Sequence, residues 1–173
     1  MKTLRITLTA LLGMAAVVGV RAADAKVAPR AAVTFVDPDK FTDAADGSRG
    51  SDFGRDGNLN ELKTHIERKS NYYVPEGQRL EVTITDVDLA GEIEPWRSPQ
   101  MQDVRIVKEI YPPRIDLSFK LVDASGAVVK EGKRQLRDLN YMMNINPNRS
   151  DSRVYEKALL DDWFRSEFTR VKK

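Results

Sequence analysis

The amino-acid sequence predicts an α+β fold, a mostly antiparallel sheet of four to five strands with two helices packed on one face. Three observations carry this. Residues 80–85 and 115–121 alternate apolar and polar side chains, the mark of strands with one face in a core and the other in water. The segment from about Ser152 to Val171 carries a broad apolar band, Tyr155, Leu159, Leu160, Trp163, Phe164, Phe168 and Val171, which suits a helix docked across a sheet. The elements follow in the order β-α-β-β-β-β-α, and short links between successive strands favour antiparallel neighbours.

The chain has 173 residues, with 28 basic and 26 acidic side chains, one histidine and no cysteine. Without cysteine there is no disulfide, thiolate nucleophile or Cys-type metal site, and one histidine excludes a multi-His site. Residues 1–22 have the layout of a secretory signal peptide. Lys2 and Arg5 precede an uncharged run from Ile6 to Val20, and Val20-Arg21-Ala22 offers a cleavage site, with Ala23-Asp24-Ala25 as a second. The run is shorter than the ~20 residues that span a bilayer, and no cysteine follows it for lipid attachment. Cleavage after Ala22 removes Lys2, Arg5 and Arg21 and leaves the mature chain at a formal charge of −1. A near-neutral chain has no general attraction for nucleic acid.

Residues 23–31 read as a flexible lead-in and 32–173 as a single domain. Ala32 to Val36 is the first strand, closed by Asp37-Pro38. Residues 42–57, rich in glycine and aspartate, read as a long polar loop. A helix is expected from Asn58, with Glu61 completing a capping box and Leu59, Leu62, Ile66 and Tyr73 on one stripe. Pro75 and Gly77 end it. Leu80, Val82 and Ile84 then face a core, but Asp86 falls on the same side, so a bulge or the end of regular pairing is expected there. A strand over Val104–Tyr111 breaks at Pro112-Pro113. Ile115 to Leu121 is the cleanest strand, and Asp123 to Gly126 has the composition of a tight turn. Its partner, Ala127 to about Leu139, is charged enough to be an edge strand. On the last helix, Glu156 falls inside the apolar band and must find a hydrogen-bond donor.

Few motifs carry chemistry. Aligning Gly57 with the required glycine of a calcium loop puts Gly54 and Lys63 where oxygen ligands belong, so 52–63 fails as an EF-hand. No P-loop or nucleophile motif is present, and no cofactor or metal is implied. His65, beside the apolar stripe, is expected to make a local hydrogen bond. Asn148-Arg149-Ser150 matches a glycosylation sequon. Asp86, Asp88 and Glu92 form the sharpest acidic cluster, suited to holding a hard cation, to acid–base work or, as the favoured reading, to pairing with Arg97, Arg105 or Arg114. Two proline-fixed loops, Pro95-Trp96-Arg97-Ser98-Pro99 and Tyr111-Pro112-Pro113-Arg114, join an aromatic ring to a guanidinium, the pairing that dominates binding hot spots.

The succession VTFVDPDKFTDA, ITDVDLAGE, WRSP, DVRIVKEIYPPRIDLSF, GKRQLRDLNY and YEKALLDDWF resembles the secreted bacterial family called domain of unknown function 3016. The resemblance spans about residues 32–170. It implies a bacterial envelope location and a single domain, and it adds no activity and no site residues.

The expectation is therefore a periplasmic or secreted accessory protein that binds an envelope protein or small ligand without performing chemistry. Trp96, Arg97, Tyr111 and Arg114, with Asp86 and Asp88 beside them, are the candidate binding residues. The alternative is a hydrolase of envelope material using Asp86, Asp88 or Glu92, and a third reading is docking through the edge strand.

Overall fold

The computed structural model describes residues 29–45, 52–94, 96, 98, 104–143, 151 and 153–171. The segment read as a signal peptide, most of the expected lead-in, Arg97, Pro95, Pro99, the sequon match and Ser152 lie outside the described residues.

Four strands form the main sheet: β1 (Ala31–Phe35), β2 (Arg79–Asp88), β5 (Arg114–Val122) and β6 (Val128–Arg137), in the order β1-β2-β5-β6. β1 runs parallel to β2, and the other two pairings are antiparallel. The parallel pair is joined through helix α1 (Asp52–Tyr73), the connection that parallel neighbours require. A second sheet of two short strands, β3 (Glu92–Ile93) and β4 (Arg105–Ile106), lies between β2 and β5 in the chain. Helix α2 (Val154–Glu167) closes the fold. The expected α+β architecture is what the chain forms.

Both helices cover one face of the sheet. Leu80, Val82, Ile84 and Val87 of β2 and Ile115, Leu117, Phe119 and Leu121 of β5 are buried there with Leu62 and Ile66 of α1. Trp163 of α2 is edge-on to Phe119, at 5.6 Å between ring centroids, and Tyr73 stacks on Phe164 at 5.3 Å. Among buried charges, Glu156 accepts a hydrogen bond from the Ala90 amide at 2.7 Å, the donor that its place in the apolar band demands. His65 joins the helices. Its Nε2 contacts Asp161 at 2.6 Å, and Arg68 donates to its Nδ1 at 3.0 Å. A guanidinium can only donate to a bare nitrogen, so Nε2 carries the proton and His65 donates to Asp161. Its role is packing the helices together.

Three expectations are corrected. Helix α1 begins at Asp52, six residues before Asn58, so the polar loop is shorter than 42–57. Arg55 reaches Asp52 at 3.2 Å and Asp39 at 2.7 Å, which fixes the first turn, and Asp52 suits the positive end of the helix dipole. Asn58 is a buried interior residue whose amide donates to the Ala44 carbonyl, and Glu61 pairs with Lys157 of α2 at 3.0 Å. The strand expected over Val104–Tyr111 shrinks to Arg105–Ile106 and pairs outside the main sheet. The last helix is shorter at its end than expected, because the amide of Val171 leaves helical pairing for the Tyr72 carbonyl.

Trp163 is 2% exposed at the centre of the aromatic cluster. Trp163→Ala is expected to cost about 3–5 kcal/mol in denaturant unfolding. A loss below ~1 kcal/mol would show that the core does not depend on the indole.

Candidate functional site

The end of the sheet where β2 finishes collects most of the sequence-predicted site residues, and a bulge puts them there. Ile84 pairs with Leu117 and Asp86 with Asp116, so Thr85 is an extra residue in β2. A one-residue slip exchanges the faces of a strand. Leu80, Val82 and Ile84 face the helices before the slip and Val87 does so after it. Asp86 and Asp88 are thereby turned onto the open face. The bulge expected from the sequence is what keeps two carboxylates out of the core.

The two aspartates then part company. Asp86 accepts from the amide and the hydroxyl of Thr42, both at 2.7 Å, and from Arg114 at 2.9 Å. Burial pushes its carboxyl up, but the Thr42 bonds and Arg114 outweigh that and hold it below the usual carboxylate range. Asp88 meets Arg114 only at 4.0 Å. Burial pushes the Asp88 carboxyl above its ordinary value, Arg114 opposes this, and Asp43, Asp86 and Glu92 reinforce it.

Beyond Asp88 the chain turns at Gly91, whose φ of +84° suits glycine and whose missing side chain admits the Ile106 carbonyl, 2.8 Å from where a Cβ would stand. This turn presents Glu92 and Glu94. Glu94 is 2% exposed, is paired with Lys108, and accepts from the Tyr111 hydroxyl at 3.2 Å. Burial and the Glu94 bond push the Tyr111 phenol up. Tyr111 is thus half-buried and anchored, while Trp96 is 73% exposed. The two aromatics expected to act alike do not. Arg105, a candidate partner for the acidic cluster, instead forms a two-pronged pair with Asp43 at 2.7 and 2.9 Å.

A cavity of about 150 Å³ opens between these elements, lined among others by Asp88, Glu92, Ile110, Tyr111, Arg114 and Arg137. Arg137 stands directly across from Arg114. Sequence reasoning missed Arg137, although a tight turn at 123–126 fixes a hairpin register that places it near Arg114. It also missed Thr42 and Asp43, for which the sequence holds no local signal. Among the described residues no group of three or more metal-type side chains converges, and no helix is long and apolar enough to cross a membrane. Residues 52–63 are helical, so they form no calcium loop.

Fold and site together define a small α+β domain with a charged cavity at the end of its sheet. The chain belongs to the family described as protein of unknown function (DUF3016), whose model matches residues 29–166. No curated protein and no solved structure matches it.

Asp86 is a structural anchor, and its replacement separates that role from cation binding. Asp86→Asn is expected to destabilise the protein by about 1–3 kcal/mol at neutral pH, since Thr42 and Arg114 lose a charged acceptor. Because folding lowers its pKa, Asp86 contributes stability that is present above about pH 4 and lost as the pH falls through the lowered value. The deficit of Asp86→Asn should therefore shrink in acid. Millimolar calcium or magnesium should shift the melting temperature by less than ~1 °C, because bound cations stabilise only where a site exists. A rise of several degrees, absent in Asp86→Asn, would make the cluster a cation site.

Proposed function

We propose that the protein is a periplasmic or secreted accessory protein that binds a partner protein or small ligand at this end of the sheet and carries out no chemistry. One observation carries the binding reading. Among the described residues, the four large apolar side chains that are more than 60% exposed, Trp96, Ile110, Leu139 and Met143, lie on segments that meet here. Glu94 ties the β3 end to Lys108 and Tyr111, and the Tyr141 hydroxyl donates to the Lys108 carbonyl at 2.6 Å. Concentrated exposed apolar area beside a charged cavity is the usual composition of a binding surface. The location rests on residues 1–22, whose charge, length and small residues are those of a cleaved signal.

A hydrolase is the second reading. Asp88, held protonated more readily than usual, and Glu92 line one cavity, the raw material of an acid–base pair. Asp86 is less suited to that work, because both its oxygens are engaged by Thr42 and Arg114.

Two measurements test the proposal. The intact mass of protein recovered from the envelope should correspond to an N-terminus at Ala23 or Lys26. A partner captured from envelope extract and identified should be lost with Trp96→Ala, whose melting temperature should stay within ~2 °C of wild type because the side chain is exposed. Capture unaffected by Trp96→Ala and by Arg114→Ala would sink the binding surface. Release of products from envelope polymer by wild type but not by Asp88→Asn would establish the hydrolase instead.

A further inference from the structure

The cavity at the sheet end holds charges of both signs that neutralise one another only in part, since Asp88 and Arg114 meet at no closer than 4.0 Å. Asp88, Arg114 and Arg137 stand in one row across β2, β5 and β6. The outer two are separated by two strand spacings, about 10 Å between backbones. Arg114, in the middle, is committed to Asp86 and Thr42. The side chain of Arg137, which is exposed, enters no ion pair or hydrogen bond among the described residues, and it sits directly opposite another arginine, whose own charge is met by Asp86. Glu92, on the far wall, accepts among the described residues only from the adjacent Ile93 amide, at 3.0 Å. Opposite charges on two walls of one cavity, with room between them, are complementary to a molecule that carries both charges itself.

We propose that this cavity binds a small zwitterion with the chemistry of a free amino acid. Its carboxylate meets Arg137, whose planar guanidinium donates to both oxygens. Its ammonium group lies toward Asp88 and Glu92. A short side chain rests against Ile110 and Pro112, which complete the wall. The volume, about 150 Å³, is on the order of five water molecules, which suits glycine or alanine and excludes long side chains from full burial. This assignment rests on the reading of the sheet end as a binding surface and names what its polar part takes.

Calorimetric titration with alanine (both enantiomers), propionate and ethylamine tests it on the full mature protein. Saturable binding of alanine is expected, with propionate and ethylamine at least tenfold weaker because each satisfies one wall only. Arg137→Gln and Glu92→Gln should each weaken alanine at least tenfold without changing the melting temperature, and Arg137→Lys should restore part of the loss. Propionate binding as tightly as alanine would mean an anion site, and ethylamine doing so a cation site; either overturns the proposal. So would absence of saturable binding of glycine and alanine up to about 10 mM, a range that covers weak interactions. If alanine fails while a partner is still captured through Trp96, this assignment falls alone. If both fail, the binding reading falls with it.

Discussion

The strand-end region depends on one guanidinium. β3 and β4 pair over two residues each, too little ladder to persist unaided. Arg105, only slightly exposed, grips them to the main sheet. One of its terminal nitrogens donates to Asp43 and to the Gly91 carbonyl, and the other to Asp43 and to the Ala45 carbonyl. Asp43 is itself locked by its backbone, which donates to the Val87 carbonyl and accepts from the Leu89 amide. The segment after β1, the turn after β2 and strand β4 therefore share one fork-shaped contact, and the buried Glu156 secures Ala90 from the helix side. Removing either charge of such a pair strands the other, a loss larger than the pair's net worth. The wall of the cavity that carries Glu92 has no other comparable attachment to the sheet among the described residues.

The same strand shows how environment divides two identical side chains. Asp86 and Asp88 are two apart and on one face, yet folding lowers the pKa of one and raises that of the other. The difference is not burial alone, which pushes both upward. Asp86 faces two Thr42 donors and the near nitrogen of Arg114, whereas Asp88 has Arg114 at the limit of contact and three other carboxylates around it. One carboxyl is structural because its hydrogen-bond capacity is filled. The other keeps capacity and charge free to answer something that enters the cavity.

What was legible in the sequence follows the range of the forces involved. Period-two alternation located β2 and β5 and exposed the phase slip at Asp86, since each depends only on neighbours along the strand. The amphipathic band of α2 and the need of Glu156 for a donor were legible for the same reason, although the identity of the donor, Ala90, was not. The start of α1 was misread because Gly54 and Gly57 argue locally against helix, whereas contacts distant in sequence, of Arg55 with Asp39 and of the buried Asn58 with Ala44, accompany the helix there. The Val104–Tyr111 stretch was misread as a long strand because apolar content was visible and the attachments of Arg105 were not. At the site, Asp86, Asp88, Tyr111 and Arg114 were brought to one end of the sheet, while Thr42, Asp43 and Arg137 arrive by long-range pairing that no local pattern announces.

The outer edge strand explains why that end, rather than the sheet edge, is the place to look for recognition. β6 turns Lys130, Gly132, Arg134 and Leu136 toward the helix side, opposite Leu121, Phe119, Leu117 and Ile115. Two cations on a core-facing row look like an error until Glu167 is considered. It receives Lys130 at 2.9 Å and Arg134 at 2.6 Å. The same cations lie over the rings of Phe168 and Phe119. A Cβ at Gly132, between them, would come within 2.8 Å of the Arg134 guanidinium and 3.2 Å of the Phe119 ring, so Arg134 would have to swing aside. Inward-pointing charge is a standard device against strand-to-strand association. A chain adding to β6 would pack its own inward side chains against this charged seam, disturbing pairs that hold α2 to the sheet. The edge is thus exposed but defended, and the undefended features, an Arg137 side chain with no partner among the described residues and an exposed Trp96, both lie where the strands end.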